Sequence, residues 1–283
     1  MGSPLLAFFR ILVYVSWTFL LIPIQEIGLR FGFAYRRRLP HFYHRSCCKI
    51  FGFRLVRIGR ISEARPTLFV SNHTSYLDIT MLSALIRGVS LISKAEVAAW
   101  PFFGRLARLQ ETVFIERNAL RSSTHRDAVH ERLQSGDQLV LFPEGTSNDG
   151  NRVLPFKSAL FSVAEKTFQG EPLTVQPVSI AYTRLDGIPL GRGWRPYYAW
   201  YGSMELAPHF WRMAGLGKAT IVVQFHPPVT IAAFDGSRKA MAEACQRVVA
   251  EGVAAAITGK QAPSLEERPE AGPPGARLRP ADS

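Results

Sequence analysis

Cysteine is scarce in this chain. Its 283 residues hold only Cys47, Cys48 and Cys245, with no C-x-x-C spacing. That excludes a disulfide framework and a thiolate zinc site and fits a reducing compartment. Acid is also short. Twenty-two Asp and Glu face 34 Lys and Arg, a net +12 with a sequence pI near 10.1. Such a balance favours an anionic partner. The deficit is local: residues 1–60 hold ten basic side chains and a single acid, Glu26. No G-x-S-x-G elbow and no H-E-x-x-H helix is present, so serine-hydrolase and zinc-protease routes lack their signatures. The stretch 215–220 imitates a phosphate loop, but position 212 is Arg212 where Gly is required and position 219 is Ala219 where Ser or Thr is required. No repeat of fixed period occurs. Residues 261–283 carry five prolines and little apolar material, which predicts a solvated tail.

What is there is apolar material and an alternating pattern. The composition is 47% hydrophobic and 20% charged, enough for a packed core. From Leu5 to Ile24 the chain is apolar apart from Arg10, about the length that crosses a hydrocarbon core. Arg36, Arg37 and Arg38 follow it, as basic flanks follow membrane anchors on the cytoplasmic side. A signal peptide would place its charges first and a small-residue cleavage site after the run, whereas Pro23 to Ile27 follows here. A buried helix of a soluble domain is the competing reading, since the run uninterrupted by Arg10 is short. Because the basic cluster adjoins the apolar run and its basic residues are not interleaved with exposed-looking aromatics in a known nucleic-acid module, a membrane surface is favoured over nucleic acid.

Downstream, short β-branched and aromatic runs at 67–71, 90–94, 112–116, 138–142, 175–182 and 220–225 alternate with helix-like stretches at 77–86, 118–134, 156–168 and 238–258. The fold class expected is α/β, a mixed and mostly parallel sheet flanked by helices, with an N-terminal hydrophobic membrane-associating helical segment. Three parts are expected: residues 1–60 as that segment, 61–260 as the α/β domain and 261–283 as the tail. In such sheets the loops at strand ends carry the chemistry.

The sharpest local signal is Ser71 to Asp78. A His just beyond a strand, with an Asp five positions on at a helix start, can bring a carboxylate to one imidazole nitrogen while the other faces a cleft. That makes His73 a base oriented by Asp78, as in a hydrolase triad, but with no protein nucleophile to activate. The substrate must bring its own hydroxyl. The plainer reading of Ser75 to Asp78 is an S-x-x-D helix cap. A second cluster, Phe142-Pro143-Glu144-Gly145-Thr146, ends the apolar strand at 138–142.

With N-H-x-x-x-x-D over Asn72–Asp78 and F-P-E-G-T over Phe142–Thr146, the chain resembles the glycerolipid acyltransferase superfamily typified by bacterial lysophosphatidic acid acyltransferases. Lys94-Ala95-Glu96 before Pro101–Gly104, then Val113 to Arg117, is similar to the family's second block, and Val175–Ser179 to its fourth. The resemblance covers roughly residues 65–185. It implies acyl transfer to the free hydroxyl of a lysolipid from a thioester of acyl carrier protein or coenzyme A, with no metal, no cofactor and no nucleic acid involved. It implies a catalytic pair, His73 and Asp78, and substrate-binding residues Lys94, Arg117, Glu144, Gly145 and Thr146. Arg117 is implied as the phosphate ligand, with Lys94 second. Backbone N–H groups at the Gly145 turn are the expected donors to the tetrahedral oxyanion.

The acceptor named first is 1-acyl-sn-glycerol-3-phosphate, giving phosphatidic acid. One departure counts against it: many relatives acting on lysophosphatidic acid place Arg directly after F-P-E-G-T, where this chain has Ser147. Arg152 and Lys157 are possible replacements. Residues 36–40, 147–152 and 199–202 resemble instead the lyso-ornithine lipid acyltransferase branch, whose headgroup is zwitterionic, and that is the alternative acceptor. The expected location is the cytoplasmic face of the cell membrane. A protein of a different class, a non-catalytic membrane binder, would explain residues 1–60 and nothing about His73.

Overall fold

The computed structural model describes residues 2–115 and 123–260, apart from the side chains of 123–127. Arg117 and the tail 261–283 lie outside the described residues. Helix α1 (Pro4–Arg30) is capped by the Ser3 hydroxyl and runs through Pro23, so it is longer than the apolar run that announces it. Helix α2 (Leu39–Phe51) ends on Gly52 in a left-handed conformation. Strand β1 (Phe53–Ile58) then brings the chain into the sheet.

The alternating core follows: β2 (Thr67–Ser71), α3 (Leu77–Leu85), β3 (Ser90–Lys94), α4 (Phe103–Leu109), β4 (Val113–Ile115), α5 (Ser123–Gln134) and β5 (Gln138–Leu141). A small hairpin, β6 (Thr167–Phe168) with β7 (Glu171–Pro172), leads into the long β8 (Thr174–Leu185), β9 (Ile188–Pro189), α6 (Leu206–Ala214), β10 (Ala219–Phe225) and α7 (Arg238–Thr258). The main sheet has the order β1-β10-β8-β2-β5-β3-β4, with β9 paired to β8. From β8 to β4 every neighbour is parallel, and β10 opposes β8. This is the mixed, mostly parallel α/β sheet that the alternation of runs predicts.

Two stretches differ. Phe53–Ile58, which the sequence puts in the membrane-associating segment 1–60, is a strand paired with β10 in the main sheet. Residues 156–168 do not form an α-helix; 3-10 turns cover Ser158–Glu165 and the hairpin takes Thr167 and Phe168. Gln169 and Gly170 both have positive φ, 53° and 87°, the geometry of a type I′ turn that pairs the flanking residues as strands. At the start of the stretch the Lys157 N–H donates to the Pro143 carbonyl, tying it to the F-P-E-G-T loop.

The sheet is sandwiched. One core layer joins Ala7, Tyr14, Cys48 and Phe51 of the N-terminal helices to Phe69, Met81, Val223 and Phe225. The other packs α5, α7 and the 3-10 turns on the opposite face. Helix α7 approaches closely at Gly252, where a Cβ would come within 2.3 Å of Ser179 Oγ. All three cysteines are buried thiols, and burial pushes each up to about 12, so none is a reactive thiolate.

Candidate active site

The parallel register of β2 and β5 pairs Val70 with Leu141, so the two loops leaving their C-terminal ends emerge side by side. One carries His73 and the other Glu144. His73 Nδ1 lies 3.0 Å from Asp78 Oδ2. The Asp78 carboxylate is fully buried. Its Oδ2 also accepts from the backbone N–H groups of Thr74 (2.6 Å) and Ser75 (2.9 Å), and its Oδ1 accepts from the Tyr182 hydroxyl at 2.9 Å. Both readings of the S-x-x-D pattern therefore describe the same carboxylate, which binds the free N–H groups ahead of α3 and holds the imidazole. The Ser75 hydroxyl takes no part in the cap.

Asn72 continues the sheet beyond its last backbone pair. Its side-chain amide donates to the Ile180 carbonyl at 2.9 Å, and its oxygen accepts from the Ile180 N–H at 2.8 Å. Phe142 stacks on the His73 ring, centroids 4.1 Å apart and planes 21° from parallel. Ring, carboxylate and loop are thus held from three sides, an arrangement that suits a proton-transfer group.

Glu144 is placed differently from a group that grips substrate. It is 2% exposed; Oε1 accepts from the His73 backbone N–H at 2.9 Å and Oε2 from Asn148 Nδ2 at 2.7 Å. Burial pushes its carboxyl up to about 7 despite those two donors, which act to lower it. Gly145 adopts φ 68°, and a Cβ there would come within 2.7 Å of Lys157 Nζ. The Gly145 N–H itself donates to the Phe142 carbonyl at 3.1 Å, so of the N–H groups at this turn that one is used by the turn.

A cavity of about 970 Å³ opens beside His73. Leu21, Ile22, Tyr43, Leu91, Leu106 and Phe210 make its wall largely apolar, and α1, α2 and α4 all contribute. Lys94, Gly145, Thr146, Ser147 and Lys157 line the same cavity as His73. Arg152 is not among its lining residues.

The motifs single out neither Tyr182 nor the full role of Trp200. The Trp200 N–H donates to the Thr74 carbonyl at 3.0 Å and its carbonyl accepts from Ser147 Oγ at 2.5 Å, so residues 199–202 are clamped across both loops. Its ring meets Tyr76 and Trp100 edge-on. Its buried indole N–H has no acceptor among the described residues and sits on the cavity wall. Residue spacing gives no signal for Tyr182, which lies 104 positions from Asp78.

Residues 54–181 match the family model described as Acyltransferase. The chain is 42% identical over 260 residues to a lyso-ornithine lipid O-acyltransferase of Brucella abortus (strain 2308), an alignment covering 90% of this chain and 97% of that protein. It is 40% identical over 219 residues to a lyso-ornithine lipid O-acyltransferase of Rhizobium meliloti (strain 1021), covering 76% and 74%. A 1-acyl-sn-glycerol-3-phosphate acyltransferase of Neisseria gonorrhoeae is 36% identical over 173 residues, with 60% and 64% covered. Among solved structures, the 1-acyl-sn-glycerophosphate acyltransferase PlsC of Thermotoga maritima superposes with a TM-score of 0.65 at 22% identity, over 89% of this chain and 93% of that one. At that identity the likeness is one of fold.

Proposed function

This chain belongs to the acyltransferase family, and from that premise we propose that it moves an acyl chain from a thioester to the free hydroxyl of a lyso-ornithine lipid. The observation that carries the chemistry is His73, 3.0 Å from a fully buried carboxylate, at the wall of an apolar cavity of about 970 Å³. His73 Nε2 takes the acceptor's hydroxyl proton as its oxygen attacks the thioester carbonyl carbon. The tetrahedral adduct collapses, the C–S bond breaks, and the thiolate leaves with the proton from His73, giving ester and free thiol. Asp78 keeps the proton of Nδ1 in place and stabilises the imidazolium. The apolar wall takes an acyl chain.

The motifs alone rank lysophosphatidic acid first; the relatives favour the alternative. Two relatives at 40% identity or more are named for lyso-ornithine lipid. Ser147 supports that order, because its hydroxyl is committed to Trp200 and brings no charge for a phosphate. The lysophosphatidic acid reading is kept by the Neisseria relative and by Lys94 and Lys157 on the cavity. Purified enzyme offered both acceptors with the same acyl thioester, and products identified by mass spectrometry, decides between them. Preferential formation of phosphatidic acid would overturn the acceptor proposed.

The membrane reading draws on α1. Ala7, Tyr14, Thr18, Leu21, Gln25 and Gly28 face the protein, whereas Leu5, Phe8, Leu12, Phe19, Ile24 and Ile27 are exposed. A helix with one face docked and the other apolar suits lying in one leaflet beside the cavity, and the basic residues after it suit the cytoplasmic face. Donor and acceptor then meet where the lysolipid resides.

A further inference from the structure

Helix α2 has two unlike sides. Tyr43, His44 and Phe51 line the catalytic cavity. Arg38, Phe42, Arg45 and Lys49 recur at helical spacing on the outer side, all exposed. Arg87, just past the end of α3, comes up against them and closes a separate groove of about 430 Å³ whose lining contains no carboxylate. Among the described residues none of these four cations forms an ion pair. His41, also in the groove lining, donates from Nδ1 to the Ser83 carbonyl at 2.9 Å; burial lowers its pKa, and Arg45 and Arg87 push the same way. Four like charges around one concavity repel each other unless an anion sits among them. Phe42, 51% exposed, forms part of the wall, and its ring lies 6.0 Å from that of Trp17 on α1. The groove therefore opens at the border of the exposed apolar face of α1.

We propose that this groove binds the phosphate headgroup of an intact anionic phospholipid, on the opposite side of α2 from the catalytic cavity, and so sets how the enzyme seats on the bilayer. The phosphate meets Arg38, Arg45, Lys49 and Arg87, while the acyl chains run past Phe42 along α1. The lipid is a docking ligand and is not consumed. The proposal rests on the reading that the outer face of α1 lies in the membrane.

The test compares Arg45→Glu/Arg87→Glu with a charge-matched control, Arg54→Glu/Arg57→Glu, whose residues are exposed on β1. Partition onto phosphatidylcholine vesicles is measured beside partition onto equal mixtures of phosphatidylcholine and phosphatidylglycerol, with turnover of a coenzyme A thioester in detergent micelles as the check on folding. Neutral vesicles report the α1 anchor, and the increment from phosphatidylglycerol reports the groove. The groove variant is expected to lose about tenfold or more of that increment with micellar turnover retained, since each basic residue near an anionic surface contributes about 1 kcal/mol. The control keeps most of it. Equal losses in both variants would show that net charge alone attracts the protein and would overturn the proposal. An intact increment with a raised KM for an acyl carrier protein thioester would assign the groove to the donor instead. Failure of the wild type to bind neutral vesicles would count against the anchor, leaving the anionic increment to decide the groove.

Discussion

In the reaction proposed, His73, Asp78 and Glu144 divide one task. His73→Ala removes the proton carrier and is expected to lower kcat by about 10²- to 10⁴-fold with the thermal midpoint little changed, read by steady-state kinetics and thermal unfolding. Asp78→Asn is expected to cost less. Its amide oxygen can keep the contacts made by Oδ2 to His73, Thr74 and Ser75, and its NH₂ can donate to Tyr182, whose hydroxyl turns to accept. What is lost is the charge that steadies the imidazolium. Glu144→Gln has no such escape, because both oxygens accept from N–H donors and Asn148 Oδ1 is already used by Gly150. One donor is left facing an NH₂ group, at a cost of about 1–3 kcal/mol. The expected outcome is a lower unfolding midpoint together with reduced kcat, since one of the two donors is the backbone N–H of His73 itself.

Two elements carry more than their composition announces. Arg10, the charge that interrupts the apolar run of α1, donates to the carbonyls of Ala214 (3.0 Å) and Leu216 (2.5 Å), capping the C-terminal end of α6. Gln25 on the same helix donates to the Arg36 and Leu109 carbonyls, both at 2.9 Å. Arg10, Thr18 and Gln25 of α1 thus turn toward the protein with Ala7, Tyr14 and Leu21, and the exposed face is left mainly apolar. Leu12→Asp with Phe19→Asp is expected to weaken sedimentation with neutral vesicles by about tenfold or more while leaving micellar turnover intact, because both side chains are exposed. The loop at Ser147 has the opposite sensitivity. Ser147→Arg breaks the 2.5 Å tie to Trp200 and puts a cation on the cavity wall. With lyso-ornithine lipid as acceptor, kcat/KM should fall, since the headgroup ammonium is repelled; with lysophosphatidic acid it should hold or rise. Equal changes for both acceptors would mean that position 147 does not face the headgroup.

Across the whole molecule, buried titratable groups set the pH range of stability. Burial lowers His44, His209 and His226 to about 4, Arg212 adding to the effect at His209. The unfolded chain binds protons at these sites near its ordinary 6.5 and the folded chain does not, so their contribution is full above 6.5 and is lost as pH falls toward 4. Glu144 acts in the other direction. Raised to about 7, it is protonated when folded and ionised when unfolded, so its contribution falls as pH rises from 4.5 to about 7. Three histidines outweigh one carboxyl. Denaturant unfolding is expected to show a net loss of stability on acidification from about 6.5 to 4, and Glu144→Gln should make that loss steeper.

The strands β2 to β5, β8 and β10 were legible in the sequence because their signal is local. The runs at 67–71 and 90–94 are strands over those very residues, and Ser237 caps α7 from Arg238 to Thr258 as its turn residues suggest. His73 and Asp78 were legible too, since five positions and one helix start bring them together without help from the rest of the chain. Residues 156–168 misled because their apolar content suits a helix, whereas the tether to Pro143 and the Gln169–Gly170 turn are decided by neighbours. Tyr182 behind Asp78, Glu144 beneath His73, the clamp on Trp200 and the two unlike sides of α2 depend on contacts between residues far apart in the chain. Backbone propensity and periodicity act over one or two turns, so they determined the elements of this protein; which buried polar groups would meet was decided only when the sheet aligned β2, β5 and β8 and the helices closed over it.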